Sequence, residues 1–220
     1  RGWIPSGRGE AGRGDVLVME GKWYNSPKCA IKCVDPKLGE CVWGGKNMSL
    51  RIWVIMGESE AGKSTLIGHL TGQFGKSDNG LKRNGTDFSN VPLSGGGLLK
   101  LFSMRCALQE NPRGKECPVG ALAYIRKKFE KKGLVQHSNC LLALRLNDGE
   151  GQGAGFEYLD YFIGQGDVEV MSIVTLGAKD CDVDKALEYG IPTLALANWQ
   201  DCQRSILVSI AAVRRHFGWA

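Results

Sequence analysis

Eight consecutive residues carry a recognisable chemistry: Gly57-Glu58-Ser59-Glu60-Ala61-Gly62-Lys63-Ser64 satisfies the spacing G-x-x-x-x-G-K-[ST] in full. Glycines at both ends let a backbone curl until successive N–H groups point inward, which makes a cradle for phosphate oxygens. A helix starting near Lys63 would add the positive end of its dipole to the same spot. In such a loop Lys63 reaches the terminal phosphates, and the hydroxyl of Ser64 is placed to ligate Mg²⁺. The expected phosphate contacts are thus Gly57, Glu58, Ser59, Glu60, Ala61, Gly62, Lys63, Ser64 and the following Thr65. Glu58 and Glu60 are unusual company for a polyanion, and the cradle works only if their side chains turn away from it.

The elements around the loop fit the pattern. Residues 51–56 are an almost unbroken apolar run, as a buried parallel strand requires. The stretch from Ser64 to Leu70 opens a helix. Residues 72–97 read as loop, and 98–109 carry a helical spacing of apolar residues. A helix over roughly 119–132 is expected to stop at Gly133. Beyond it, strand and helix alternate: a strand over Cys140–Leu144, a loop over Asp148–Gly155, a helix over 156–164 and a strand over Val168–Leu176. The series closes with a helix over Asp182–Tyr189, a buried strand over Ile191–Ala197 and an amphipathic helix over 202–217. In that last helix Ile206, Leu207, Ile210, Val213 and Phe217 share one face. This alternation predicts an α/β chain with three layers and a mostly parallel central sheet, the architecture of P-loop nucleotide hydrolases.

The run Gly62-Lys63-Ser64-Thr65-Leu66-Ile67-Gly68-His69-Leu70 resembles the start of the GTP-binding domain of translation elongation factors of the one-alpha type and of the ribosome-rescue GTPases related to them. Asp148-Gly149-Glu150-Gly151 is similar to the D-x-x-G element of that family, and Gln152 follows where Ras-like members carry a water-positioning glutamine. The resemblance implies that Asp148 serves Mg²⁺, mostly through water, that Gly151 lies at the terminal phosphate, and that Gln152 orients the attacking water. Asn198-Trp199-Gln200-Asp201 is similar to N-K-x-D, which implies that Asn198 and Asp201 read guanine. Trp199 replaces the lysine of that element, and the best-aligned stretch offers Val135 where the family has a metal-closing threonine. A further strand with an S-A-type element would lie beyond Ala220. These departures describe a degenerate GTPase that binds GTP or GDP and turns over slowly, or an interaction module that does not turn over.

A second resemblance competes. Leu93-Ser94-Gly95-Gly96-Gly97 looks like the signature of ABC ATPases, which would make ATP the ligand. It follows the phosphate loop too closely for the helical subdomain that family inserts there, so a Ser-Gly loop is the plainer account.

Composition limits the rest. The chain has 220 residues, 43% of them apolar, and a net charge of +5. That suits one α/β domain over residues 51–220, preceded by a small strand-and-turn appendage over 15–50 and a disordered Gly/Arg-rich arm over 1–14. No apolar run is long enough to span a membrane. The basic cluster Arg126–Lys132 is first of all a solvated helix face, with a ribosomal, RNA or other protein surface as its sharper reading. Eight cysteines in a chain expected to work among triphosphates and Mg²⁺ imply a reducing compartment, the cytoplasm, with most thiols free in the core. Cys29, Cys33 and Cys41 do not match a zinc ribbon, although a site completed by Cys117 or His137 would be one way to use them.

Overall fold

The computed structural model describes residues 49–73, 86–110, 117–133, 137–147, 154–198 and 206–220. The arm over 1–14 and nearly all of the segment 15–50 lie outside these residues. Ser49 and Leu50, which the sequence assigns to that appendage, are the first residues of strand β1, Ser49–Gly57. The chain then forms α1 (Lys63–Thr71), β2 (Thr86–Pro92), β3 (Leu98–Ala107), a 3₁₀ turn over Leu108–Glu110, α2 (Pro118–Glu130) and β4 (His137–Arg145). It continues with α3 (Gly155–Ile163), β5 (Val168–Leu176), α4 (Asp180–Leu187), β6 (Thr193–Leu196) and α5 (Ile206–His216).

The strands make one six-stranded sheet in the order β2-β3-β4-β1-β5-β6. β2 is antiparallel to β3, and every other neighbouring pair runs parallel. β1 is buried on both faces, so its residues alternate between two cores rather than between core and water. Leu50, Ile52, Val54 and Met56 face one cluster, built with Leu122, Ile125 and Phe129 of α2, Leu159 and Phe162 of α3 and Ala186 of α4. Trp53 and Ile55 face the other, built with Leu66, Ile67 and Leu70 of α1 and Val213 of α5. β4 alternates the same way, with Cys140, Leu142 and Leu144 on the first side and Leu141 and Ala143 on the second. Helices therefore cover both faces of the sheet, which is the α/β layering expected from the strand–helix cadence. Each Leu, Ile or Phe buried in this way contributes about 1.5–3 kcal/mol relative to exposure.

Several expectations are corrected. Residues 98–109 are not helical: they form β3 and the 3₁₀ turn. Leu98, Leu101, Phe102, Arg105 and Leu108 do fall at helical spacing, but a strand covered on both faces is apolar at most positions and satisfies either period. The stretch 72–97 is not loop throughout, because residues 86–92 pair with β3. Leu93–Gly97 is the hairpin turn between these strands, with Gly96 N–H donating to Leu93 O and Leu93 N–H to Gly97 O. The Ser-Gly loop reading of this segment thus describes its structure. β6 is short and half-buried rather than fully buried, since β5 is its one neighbour in the sheet. Val213 of α5 and Phe217 just after it are buried as expected, but Leu207 is 68% exposed. His216 is half-buried and lies 3.2 Å from Ile173 O. Cys117 and Cys140 are core residues, whereas Cys106 and Cys181 are exposed. Among the described residues, no helix is long and apolar enough to cross a membrane.

Candidate functional site

Parallel strands bring their carboxyl ends to one edge of the sheet, where crevices between strand ends and helix starts collect ligands. β1 ends there at Gly57, opposite Arg145 of β4 on one side and Leu176 of β5 on the other. Gly57 must be glycine: a Cβ would lie 2.6 Å from Leu176 O and 3.2 Å from the Ala61 Cβ. The chain then folds back tightly, with Glu60 at φ 64° and Gly62 at φ 88°. Such left-handed backbone is what turns consecutive amides toward one point. Gly62 precedes α1 and no side chain caps the helix. The first N–H groups of α1 therefore face the hollow of the loop, together with the positive end of the helix dipole.

Lys63 sits at the centre of this hollow and is only 6% exposed. Its ammonium donates to Gly57 O at 2.9 Å and to the carbonyl of Glu58. Burial pushes its pKa below the ordinary lysine value; nearby Glu110 opposes that shift, Arg145 adds to it, and Glu58 opposes it. A cation held by two backbone carbonyls, without a carboxylate bonded to it, is poised for an anionic guest.

The acidic residues of the loop are engaged elsewhere or exposed. Both Glu58 carboxylate oxygens accept from Asn147 Nδ2 at 2.6 Å, just past the end of β4. Glu60 is exposed. Ser64 donates its hydroxyl proton to Arg105 O at 2.8 Å, which leaves the oxygen's lone pairs for a cation. Arg105 lies in a β3 bulge, where the pairing with β4 jumps between Met104 and Ala107. The bulge aims the Arg105 carbonyl at α1. Beyond it, Gln109 restores the link to β4: its Nε2 donates to Arg145 O at 3.0 Å, and its Oε1 accepts from Arg145 N at 3.1 Å. This side chain stands in for a missing pair of ladder bonds.

Arg145 closes the site on the β4 side. Its guanidinium donates to Ser59 Oγ at 3.2 Å and to Glu110 Oε1 at 2.6 Å. Four site residues, Gln109, Glu110, Arg145 and Asn147, escaped the sequence reading. The signal that could have found them is their place immediately after buried apolar strands, where parallel strand ends present polar groups.

The remaining candidates divide in two. Thr65 is exposed on the first turn of α1. Asn198 follows β6 at the same sheet edge and packs on the end of β5, where a Cβ added at Gly177 would lie 2.9 Å from its own Cβ. Asp148, Gly151, Gln152 and Asp201 lie outside the described residues, as do Val135, Cys29, Cys33 and Cys41. Among the described residues no group of three or more His, Cys, Asp or Glu could hold a metal. Mg²⁺ keeps most of its water and phosphate ligands and takes about one or two protein oxygens, so Ser64 Oγ suits it. In the basic run, Arg126 donates to both carboxylate oxygens of Asp167 at 2.5 Å, Lys128 lies over the Tyr124 ring and Lys132 over the Phe88 ring. These contacts give part of that run a structural role.

No protein-family model matches the chain, and no curated protein matches it.

Proposed function

We propose that this chain is a P-loop nucleotide-binding domain that takes a purine nucleoside triphosphate with Mg²⁺, GTP in preference to ATP, and hydrolyses it slowly. One observation carries the reading: the buried ammonium of Lys63 stands over an uncapped helix N-terminus, inside a loop whose left-handed turns point its amides the same way. A phosphate group would exchange the two carbonyl partners of Lys63 for charged oxygens, which are the stronger acceptors.

The residues would then divide the work. Loop amides and Lys63 hold the phosphates and meet the charge that develops when water attacks in line. Ser64 Oγ would hold Mg²⁺, which when bound neutralises phosphate charge. Asn198 stands at the same edge, two strands from β1, or roughly 10 Å at ordinary strand spacing. A base extending from the phosphates toward β6 would meet it, and by resemblance Asp201 completes guanine selection. A cytoplasmic setting goes with this chemistry, and any link to translation follows the family resemblance alone.

The test is a titration of the purified chain with fluorescent GTP and ATP analogues, in Mg²⁺ and in EDTA, followed by a phosphate-release assay. Mg²⁺-dependent binding with GTP ahead of ATP supports the full reading. Equal affinities would remove the guanine assignment, and binding without turnover would make the chain an interaction module.

A further inference from the structure

Arg145 presents a group that no described neighbour satisfies. Its Nε is buried and, among the described residues, has no hydrogen-bond partner. The other end of the same guanidinium donates to Ser59 Oγ in the loop and to Glu110. A buried donor without an acceptor is costly, so its persistence beside a ligand cradle needs an account. The planar fork of a guanidinium carries paired N–H groups that match two oxygens of one phosphate. Its backbone is fixed by the fully buried Gln109 side chain, so the fork is aimed rather than drifting.

The direction of the ligand follows from strand order, and here the inference rests on the function proposed above. With the base toward β6, the phosphate chain crosses the end of β1 and points toward β4. The group that arrives last, nearest Arg145, is the terminal phosphate. We propose that Arg145 reads the terminal phosphate, with Glu110 as the counter-ion it holds until a triphosphate displaces that carboxylate. A diphosphate leaves the Arg145–Glu110 pair intact. The side chains of Arg145 and Glu110 are 20% and 37% exposed, so their contact lies at the rim of the core rather than inside it.

Calorimetric titration of the full chain with a non-hydrolysable GTP analogue and with GDP tests this, using Arg145→Gln, Arg145→Lys and Glu110→Gln. Arg145→Gln is expected to weaken the triphosphate analogue about 10- to 100-fold, the loss of a charged hydrogen-bonded contact, and GDP by less than about twofold. Arg145→Lys keeps the charge without the fork and should fall between wild type and Arg145→Gln. Glu110→Gln removes the competitor and should tighten the triphosphate analogue while leaving GDP unchanged. Equal losses for both nucleotides in Arg145→Gln would mark a structural role and overturn the inference, as would weaker triphosphate binding in Glu110→Gln. A wild-type chain that binds neither nucleotide would refute the underlying function as well; wild-type binding with undiminished triphosphate affinity in Arg145→Gln would refute this inference alone.

Discussion

Replacing Gln109 with methionine keeps the volume of a fully buried side chain and removes both of its hydrogen bonds. Those bonds are the tie between the end of β3 and the end of β4 after the bulge at Arg105. Methionine would leave the N–H and C=O of Arg145 facing an apolar chain. Each bond contributes about 1 kcal/mol, and a buried unpaired group costs about 1–3 kcal/mol, so the loss should be near 3 kcal/mol. For a chain of this size that lowers the thermal midpoint by roughly 6–12 °C. Urea unfolding followed by far-UV circular dichroism and by tryptophan fluorescence measures it. The same variant loosens the backbone under Arg145, so it should weaken a triphosphate more than a diphosphate. A change within about 0.5 kcal/mol, the range of ordinary surface substitutions, would refute the assigned role of Gln109.

Two further outcomes follow from the loop itself. Gly57→Ala drives a Cβ into the carbonyl of Leu176, which a backbone neighbour cannot yield cheaply; it should destabilise the fold by about 1–3 kcal/mol and weaken triphosphate binding at least about tenfold, read by the same unfolding and titration assays. Unchanged binding would mean that the loop does not cradle phosphate. The second concerns pH. Lys63 in the free protein has its pKa lowered by burial, so the empty site releases its proton below the ordinary value of 10.5. A bound anion restores that proton. Affinity should therefore be full at pH values below the lowered pKa and decline as pH rises through it, with proton uptake on binding in that alkaline window. Titrations in buffers of different ionisation enthalpy detect the uptake, and its absence would show that Lys63 does not meet the anion.

The sequence made some parts of this site legible and hid others for physical reasons. The loop from Gly57 to Ser64 could be read because every residue that shapes it is local. β1 could be read because burial on both faces leaves a nearly unbroken apolar run, and β5 because its Val, Ile and Met residues outnumber the polar ones between them. The same burial made β3 ambiguous, since Leu98–Leu108 satisfies a helical period as well as a strand. β2 was invisible because Thr86–Pro92 takes its order from its pairing with β3, not from its own pattern. Gln109, Glu110, Arg145 and Asn147 meet Ser59 and Glu58 only through strand order, and no spacing along the chain foretells that β4 lies beside β1. Glu58 is likewise engaged by a residue distant in sequence, Asn147, which donates to its carboxylate.

The most direct test of the central claim is calorimetric titration of wild type and Lys63→Ala with a non-hydrolysable GTP analogue in Mg²⁺, with thermal unfolding as a check on folding. The account predicts saturable binding by wild type and none by a folded Lys63→Ala chain. Equal binding by both would contradict it, because the buried ammonium over the helix N-terminus would then have no phosphate to hold.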